Sequence, residues 1–163
     1  MYYTRNSDLT YYETNRNEVN CGSYALRLNE WYSPEGYFED TVGSYIEDWI
    51  IEMGECGHTN EEISNVFGDI LVEGILSEFD GELEPCDGRP PTTSDVELVS
   101  FNTFCIYEEN EYPDYDFHFK VLRDGKWMEK HGPCPVCECD EFDWGRYIGK
   151  ATYFYHKIGE KEC

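Results

Sequence analysis

Between Leu28 and Gly88 the chain has no lysine or arginine, although seventeen Asp and Glu fall in that span. No basic patch of the kind that releases counterions from phosphates is visible elsewhere, which argues against direct nucleic-acid binding. No run approaches the ~18 apolar residues of a membrane helix, so no membrane association is expected. The opening MYYTRNSDLTYY lacks a basic region followed by an apolar one, and no Asn-x-Ser/Thr acceptor occurs. No signal peptide is therefore expected, and a cytoplasmic protein fits. There is no internal repeat, no glycine-rich phosphate loop and no cofactor box, so no organic cofactor is expected. No His-rich ligand set with an open position suggests a catalytic metal.

What is present argues for a folded domain. Hydrophobic residues make up 40% and aromatics 17% of 163 residues, enough for a core despite a net charge of −23. One domain over 1–163 is expected. Eight of the twelve basic residues lie from Lys120 onward, so the acidity belongs to the first half. Solubility explains most of these carboxylates. A sharper reading is that they mimic phosphate and occupy a basic groove on a nucleic-acid-handling protein. Glu47, Asp48, Glu52 and Glu55 are the residues that would carry such partner binding.

The first half, about 18–80, reads helical. NCGSYALRLNEWY places Tyr24, Ala25, Leu28 and Trp31 at helical spacing, with Asn20 as cap and Pro34 as stop. TVGSYIEDWIIEMGE carries an apolar stripe, Val42, Tyr45, Ile46, Trp49, Ile50 and Met53. The stretch from His58 opens with a capping box, Thr59 and Glu62, and continues through Ile63, Val66, Phe67, Ile70 and Leu71. About 81–94 reads as a linker, marked by Gly and Pro90–Pro91. From about 95 to 160 the period changes. VELVSFNTFCIY, YDFHFKVL, KWMEKH and GKATYFYHKI are strand-like, with Asp124-Gly125 as a hairpin turn. Helices packed on a C-terminal antiparallel sheet make an α+β fold.

Cys21 follows the expected cap, where a helix dipole lowers a thiol's pKa and makes a nucleophile. It could equally be a small core residue. On YDFHFKVL, alternation puts Phe117, Phe119 and Val121 on one face and His118 and Lys120 on the other. His118 is either a histidine satisfied within the fold or a general base on a rigid strand. An orienting carboxylate for it would be Glu129 or Asp143.

NCGSYAL and DFHFKVLRDGKWMEKHG resemble the Cys and His motifs of small papain-like proteins related to the NlpC/P60 and amidase-type cysteine peptidases. The second motif is similar to that of papain-like proteins found in phages and mobile elements of Gram-positive bacteria. The resemblance covers about a third of the chain. It implies a papain-like fold, with Cys21 as nucleophile, His118 as general base and acyl transfer at an amide or peptide bond. It also implies an oxyanion hole built from the Cys21 backbone N–H and a polar side chain upstream, for which Asn15 and Asn17 are the candidates. A phage-encoded protein would act in the cytoplasm of a bacterial host.

KHGPCPVCECDEF holds His131, Cys134, Cys137 and Cys139 within nine residues. Cys-Pro-Val-Cys has zinc-knuckle spacing, so a structural zinc is one expectation. More distant ligands would be Cys56, His58, Cys86, Cys105, His156 or Cys163. Disulfides and free thiols are the alternatives, although a reducing cytoplasm disfavours disulfides. Two functions follow. One is a cysteine hydrolase with a peptide or amide substrate. The other is a non-enzymatic acidic inhibitor that binds a basic nucleic-acid-handling protein, similar in character, though not in motif, to phage anti-defence proteins such as anti-CRISPR inhibitors.

Overall fold

The computed structural model describes residues 9–158. Asn20 caps the helix that carries Cys21: its side chain accepts from the Ser23 backbone N–H, and the Ser23 hydroxyl accepts from the Asn20 N–H. This helix, α2 (Cys21–Ala25), follows a short α1 (Leu9–Thr14). The expected helix runs on towards Trp31, but α2 stops after five residues. Arg27 adopts φ 58, in the left-handed region, and its guanidinium reaches the Glu97 carboxylate at 2.7 Å. A long-range ion pair thus overrides local helix propensity.

The stripe expected as one helix is divided. Gly43, at φ 82, caps α3 (Glu35–Val42), and α4 (Ile46–Glu55) starts afresh behind Tyr45. Ile46, Trp49 and Ile50 are buried as the spacing requires. Thr59 and Glu62 form the expected reciprocal cap on α5 (Asn60–Glu78), whose Ile63, Phe67, Leu71 and Ile75 recur every four residues towards the core. No helix among the described residues is long and apolar enough to cross a membrane.

Six strands follow: β1 (Leu83–Cys86), β2 (Val96–Ile106), β3 (Asp114–Arg123), β4 (Lys126–Lys130), β5 (Val136–Glu138) and β6 (Thr152–Lys157). They form one antiparallel sheet in the order β1-β6-β2-β3-β4-β5. The fold class is α+β. Asp124 and Gly125 both have positive φ, the requirement of the two-residue turn that twists with its strands. That turn sets Lys120 opposite Glu129. Two strands lie where none is expected. β1 occupies the linker and pairs with β6, and β5 crosses the cysteine-rich stretch.

The alternation read from β3 holds. Phe119 packs beside Phe101 and Phe117 and lies against Tyr32, on the side of the helices. His118 and Lys120 turn to the other face, which the segment 140–149 covers. Lys120 Nζ donates to the carbonyls of Asp140 and Asp143 at 2.6 and 2.7 Å and lies over the Trp144 ring.

Two buried cations fasten α2 to the sheet. Arg123 binds both oxygens of Glu97, at 2.8 and 2.7 Å, and donates to the carbonyls of Tyr24 and Ala25 at the end of α2. Lys130 donates to the carbonyls of Arg16, Val19 and Gly132, joining the loop before α2 to the end of β4. A charged donor shared among carbonyls satisfies its own charge and the backbone acceptors together.

Candidate active site

Cys21 and His118 line one cavity of about 340 Å³, at the rim where the chain leaves β4. Asn20 and Cys21 enter it from the start of α2. Asp116, Phe117 and His118 come from β3, and His131 and Gly132 follow β4. Trp31 stands half exposed at the mouth, with Glu35, Arg146 and Tyr147 on the wall.

His118 is almost fully buried and its Nε2 lies 2.8 Å from Glu129 Oε1. An ionised carboxylate only accepts, so Nε2 carries the proton and Nδ1 is left for another partner. Burial lowers the His118 pKa below its ordinary value, although the Glu129 hydrogen bond and charge oppose this. The ring is therefore neutral near pH 7. Burial alone would raise the Glu129 carboxyl, but hydrogen bonds from His118 and His131, with the charge of either ring when protonated, outweigh it and hold it low. His131 Nε2 takes the other oxygen, Oε2, at 2.9 Å. The two imidazoles lie parallel, 9° apart with centroids at 4.6 Å, and Tyr147 stacks on His118.

The thiol differs from the expectation for a helix start. Burial pushes Cys21 up to about 12, although the backbone N–H groups of Phe119, Gly22 and Cys21 itself pull it back, and the Asp116 carboxylate adds to the rise. A helix of five residues offers little dipole against full desolvation. Among the described residues no hydrogen bond joins Cys21 Sγ to His118; the sulfur rests against those amides. Burial and the Asp116 carboxylate also push Glu35 up to about 7.

Of the two expected orienting carboxylates, Glu129 reaches His118, whereas Asp143 turns Oδ1 to the Gly145 N–H. Asn15 and Asn17 lie outside the cavity lining. Asn15 Nδ2 donates to the Tyr11 carbonyl within its own turn, and Asn17 is exposed. The upstream polar residue that does line the cavity is Asn20, missed because its capping role accounts for it. Its Oδ1 accepts from Ser23 and from the Tyr32 N–H, and its Nδ2 donates to the Tyr32 carbonyl. At the start of α2 the backbone N–H groups of Cys21 and Gly22 lie against the sulfur.

The expected zinc set is not assembled. Among the described residues, the group of three or more candidate ligands that converges within 4.8 Å is His118, Glu129 and His131, with no cysteine in it. The extended β5 carries Cys137, with Cys134 before it and Cys139 after, and His131 is taken by Glu129. Cys21, Cys56, Cys86, Cys105, Cys134, Cys137 and Cys139 are free thiols. Cys56 is exposed and Cys105 is buried in β2. His58 faces Glu62 and His156 faces Glu82. Cys163 lies outside the described residues.

On the helical half, Asp48, Glu52 and Glu55 are exposed on α4, whereas Glu47 is half buried and accepts from the Tyr115 hydroxyl. No protein-family model matches the chain, and neither a curated protein nor a solved structure matches it.

Proposed function

We propose that the protein is a papain-like cysteine hydrolase that cleaves an amide or peptide bond. The observation that carries this reading is the shared cavity, which Cys21 and His118 both line, with Glu129 hydrogen-bonded to the imidazole. His118 Nδ1 takes the thiol proton, and the Cys21 sulfur attacks the carbonyl carbon. The C–N bond breaks as the imidazolium returns the proton to the departing amine. A water deprotonated by His118 then attacks the thioester, releasing a carboxylic acid and restoring the thiol. Of the N–H groups that act on the sulfur, those of Cys21 and Gly22 at the start of α2 would share the developing oxyanion charge. Because burial holds the thiol protonated, the base is indispensable at neutral pH.

The test is alkylation of Cys21 by iodoacetamide at pH 7, with peptide mapping of the modified thiol. His118→Ala is expected to slow it about 100-fold, the low end for loss of a general base, and Glu129→Gln to slow it less. Equal rates in wild type and His118→Ala remove the reading.

A second reading rests on a different observation: Asp48, Glu52 and Glu55 stand exposed on one helix, in a span without a single basic residue. In it the acidic face binds a basic nucleic-acid-handling protein as a phosphate mimic. Replacing Glu47, Asp48, Glu52 and Glu55 with Gln should weaken such binding and flatten its salt dependence. Cys21→Ala should leave it unchanged. Equal affinity of the Gln variant discards this reading.

A further inference from the structure

We propose that His118, Glu129 and His131 form a binding site for a divalent transition-metal ion of the zinc class, and that the ion switches the Cys21–His118 pair off. One candidate ligand atom from each residue lies within 4.8 Å of the others. Both imidazoles aim Nε2 at one carboxylate, one on each oxygen, from parallel rings. Two ring nitrogens and a carboxylate that already converge need little rearrangement to close on an ion. Imidazole and carboxylate donors suit zinc, cobalt and nickel, and three protein ligands leave a position for water. The fold builds this convergence. The β3–β4 register that sets Lys120 opposite Glu129 brings His131, two residues on, beside His118. Access is provided too, since about half of the His131 side chain is exposed whereas His118 is buried.

Binding needs the Nε2 lone pair of each ring, so the Nε2 proton leaves to solvent while Nδ1 takes one up in its place, a net change of tautomer, and the carboxylate turns from hydrogen-bond acceptor to ligand. His118 is then fixed through Nε2 to a cation. Its Nδ1 carries the ring proton and no longer accepts one from Cys21. Metal binding stands on the geometry alone; the inhibitory consequence rests on the hydrolase reading.

The experiment titrates the full-length reduced protein with Zn²⁺ against a chelating dye, in wild type and in a Cys134→Ser/Cys137→Ser/Cys139→Ser variant. One equivalent is expected in both, with affinity falling at least about 10-fold in Glu129→Gln and in His131→Ala. His131→Ala removes a half-exposed ring, and circular dichroism checks that it folds. Co²⁺ in the serine variant should give a bound spectrum without the near-ultraviolet thiolate charge-transfer band. Loss of Zn²⁺ binding in the serine variant assigns the ion to the cysteines and overturns the site. A thiolate band, or affinity indifferent to His131→Ala, overturns it as well. With the site established, Zn²⁺ should slow alkylation of Cys21 in wild type and not in His131→Ala. If His118→Ala leaves alkylation unchanged while Zn²⁺ still binds the triad, the hydrolase reading falls and the metal site stands.

Discussion

The two ends of α2 are built on opposite plans. At its C-terminal end, Arg123 and Arg27 enclose the Glu97 carboxylate with four donor contacts, and Arg123 also satisfies two helix carbonyls. All three charges are buried or nearly so, and all are paired. At its N-terminal end, five residues away, a thiol and two histidines border a cavity. There a carboxylate is shared between the rings, and a tryptophan stands at the mouth. The difference teaches that a helix too short to hold itself is fixed at one end by a buried ion cluster, while its other end, held by the Asn20 cap and the Lys130 tie, borders a cavity. A paired buried ion triad has one geometry, whereas groups facing a cavity can exchange partners.

The comparison breaks most sharply at Glu97. Glu97→Ala strands two arginines, one of them fully buried, and is expected to cost about 3–5 kcal/mol in urea unfolding. A loss under about 1 kcal/mol would show that the clamp does not hold the helix. Lys130→Met leaves three carbonyls without their donor and should cost about 1.5–3 kcal/mol, with faster hydrogen exchange in residues 16–21 as its local signature. Unchanged exchange there would contradict its role as the tie.

Gly22→Ala tests the packing between the two ends. A Cβ there would meet Tyr32 Cδ2 at 2.9 Å and Phe119 Cε1 at 3.2 Å, so about 1–3 kcal/mol of strain is expected. A melting temperature equal to wild type would mean that the rings yield freely. In acid, the contribution of Glu97 has a definite sign. Burial raises its carboxyl, but the two arginines hold it below the ordinary value. Its stabilisation is present above the unfolded carboxylate pKa of about 4.3 and is lost as pH falls through the folded value. Glu97→Gln should flatten stability against pH in that window, and an unchanged acid limb would argue otherwise. The smallest effect concerns Cys21. In His118→Ala the thiol has only its own acidity, so alkylation should keep rising through about pH 10. A plateau near neutral pH would show a thiolate stabilised without the histidine.

Local chemistry in the chain announces much of this. The Asn20 and Thr59 caps, the Asp124-Gly125 turn and the alternation along Phe117–Val121 are each set by neighbours a few residues away. Cys21 and His118 stood out in the sequence as motif residues, and both line one cavity; Glu129 was one of two candidate carboxylates, and it is the one that reaches His118. What could not be read depends on distant partners. The early end of α2 follows from Glu97, seventy residues away. β1 exists because β6 lies beside it. His131 read as a zinc ligand because cysteines follow it in sequence, but the β3–β4 hairpin returns it to His118 and Glu129 instead. The one available signal was register: counting back across the Asp124-Gly125 turn pairs 131 with 118.

Lys130 has a consequence in time as well as in space. Its ammonium joins carbonyls at 16 and 19 to one at 132, and Arg123 joins 24 and 25 to the same hairpin. Contacts that span about a hundred residues close late, after local helices and hairpins have formed. On the ribosome, α2 can neither be fastened nor its cavity walled until the hairpin has emerged. A nascent or truncated chain ending before residue 130 would therefore carry Cys21 without a cleft around it until the β3–β4 hairpin and residue 132 have emerged.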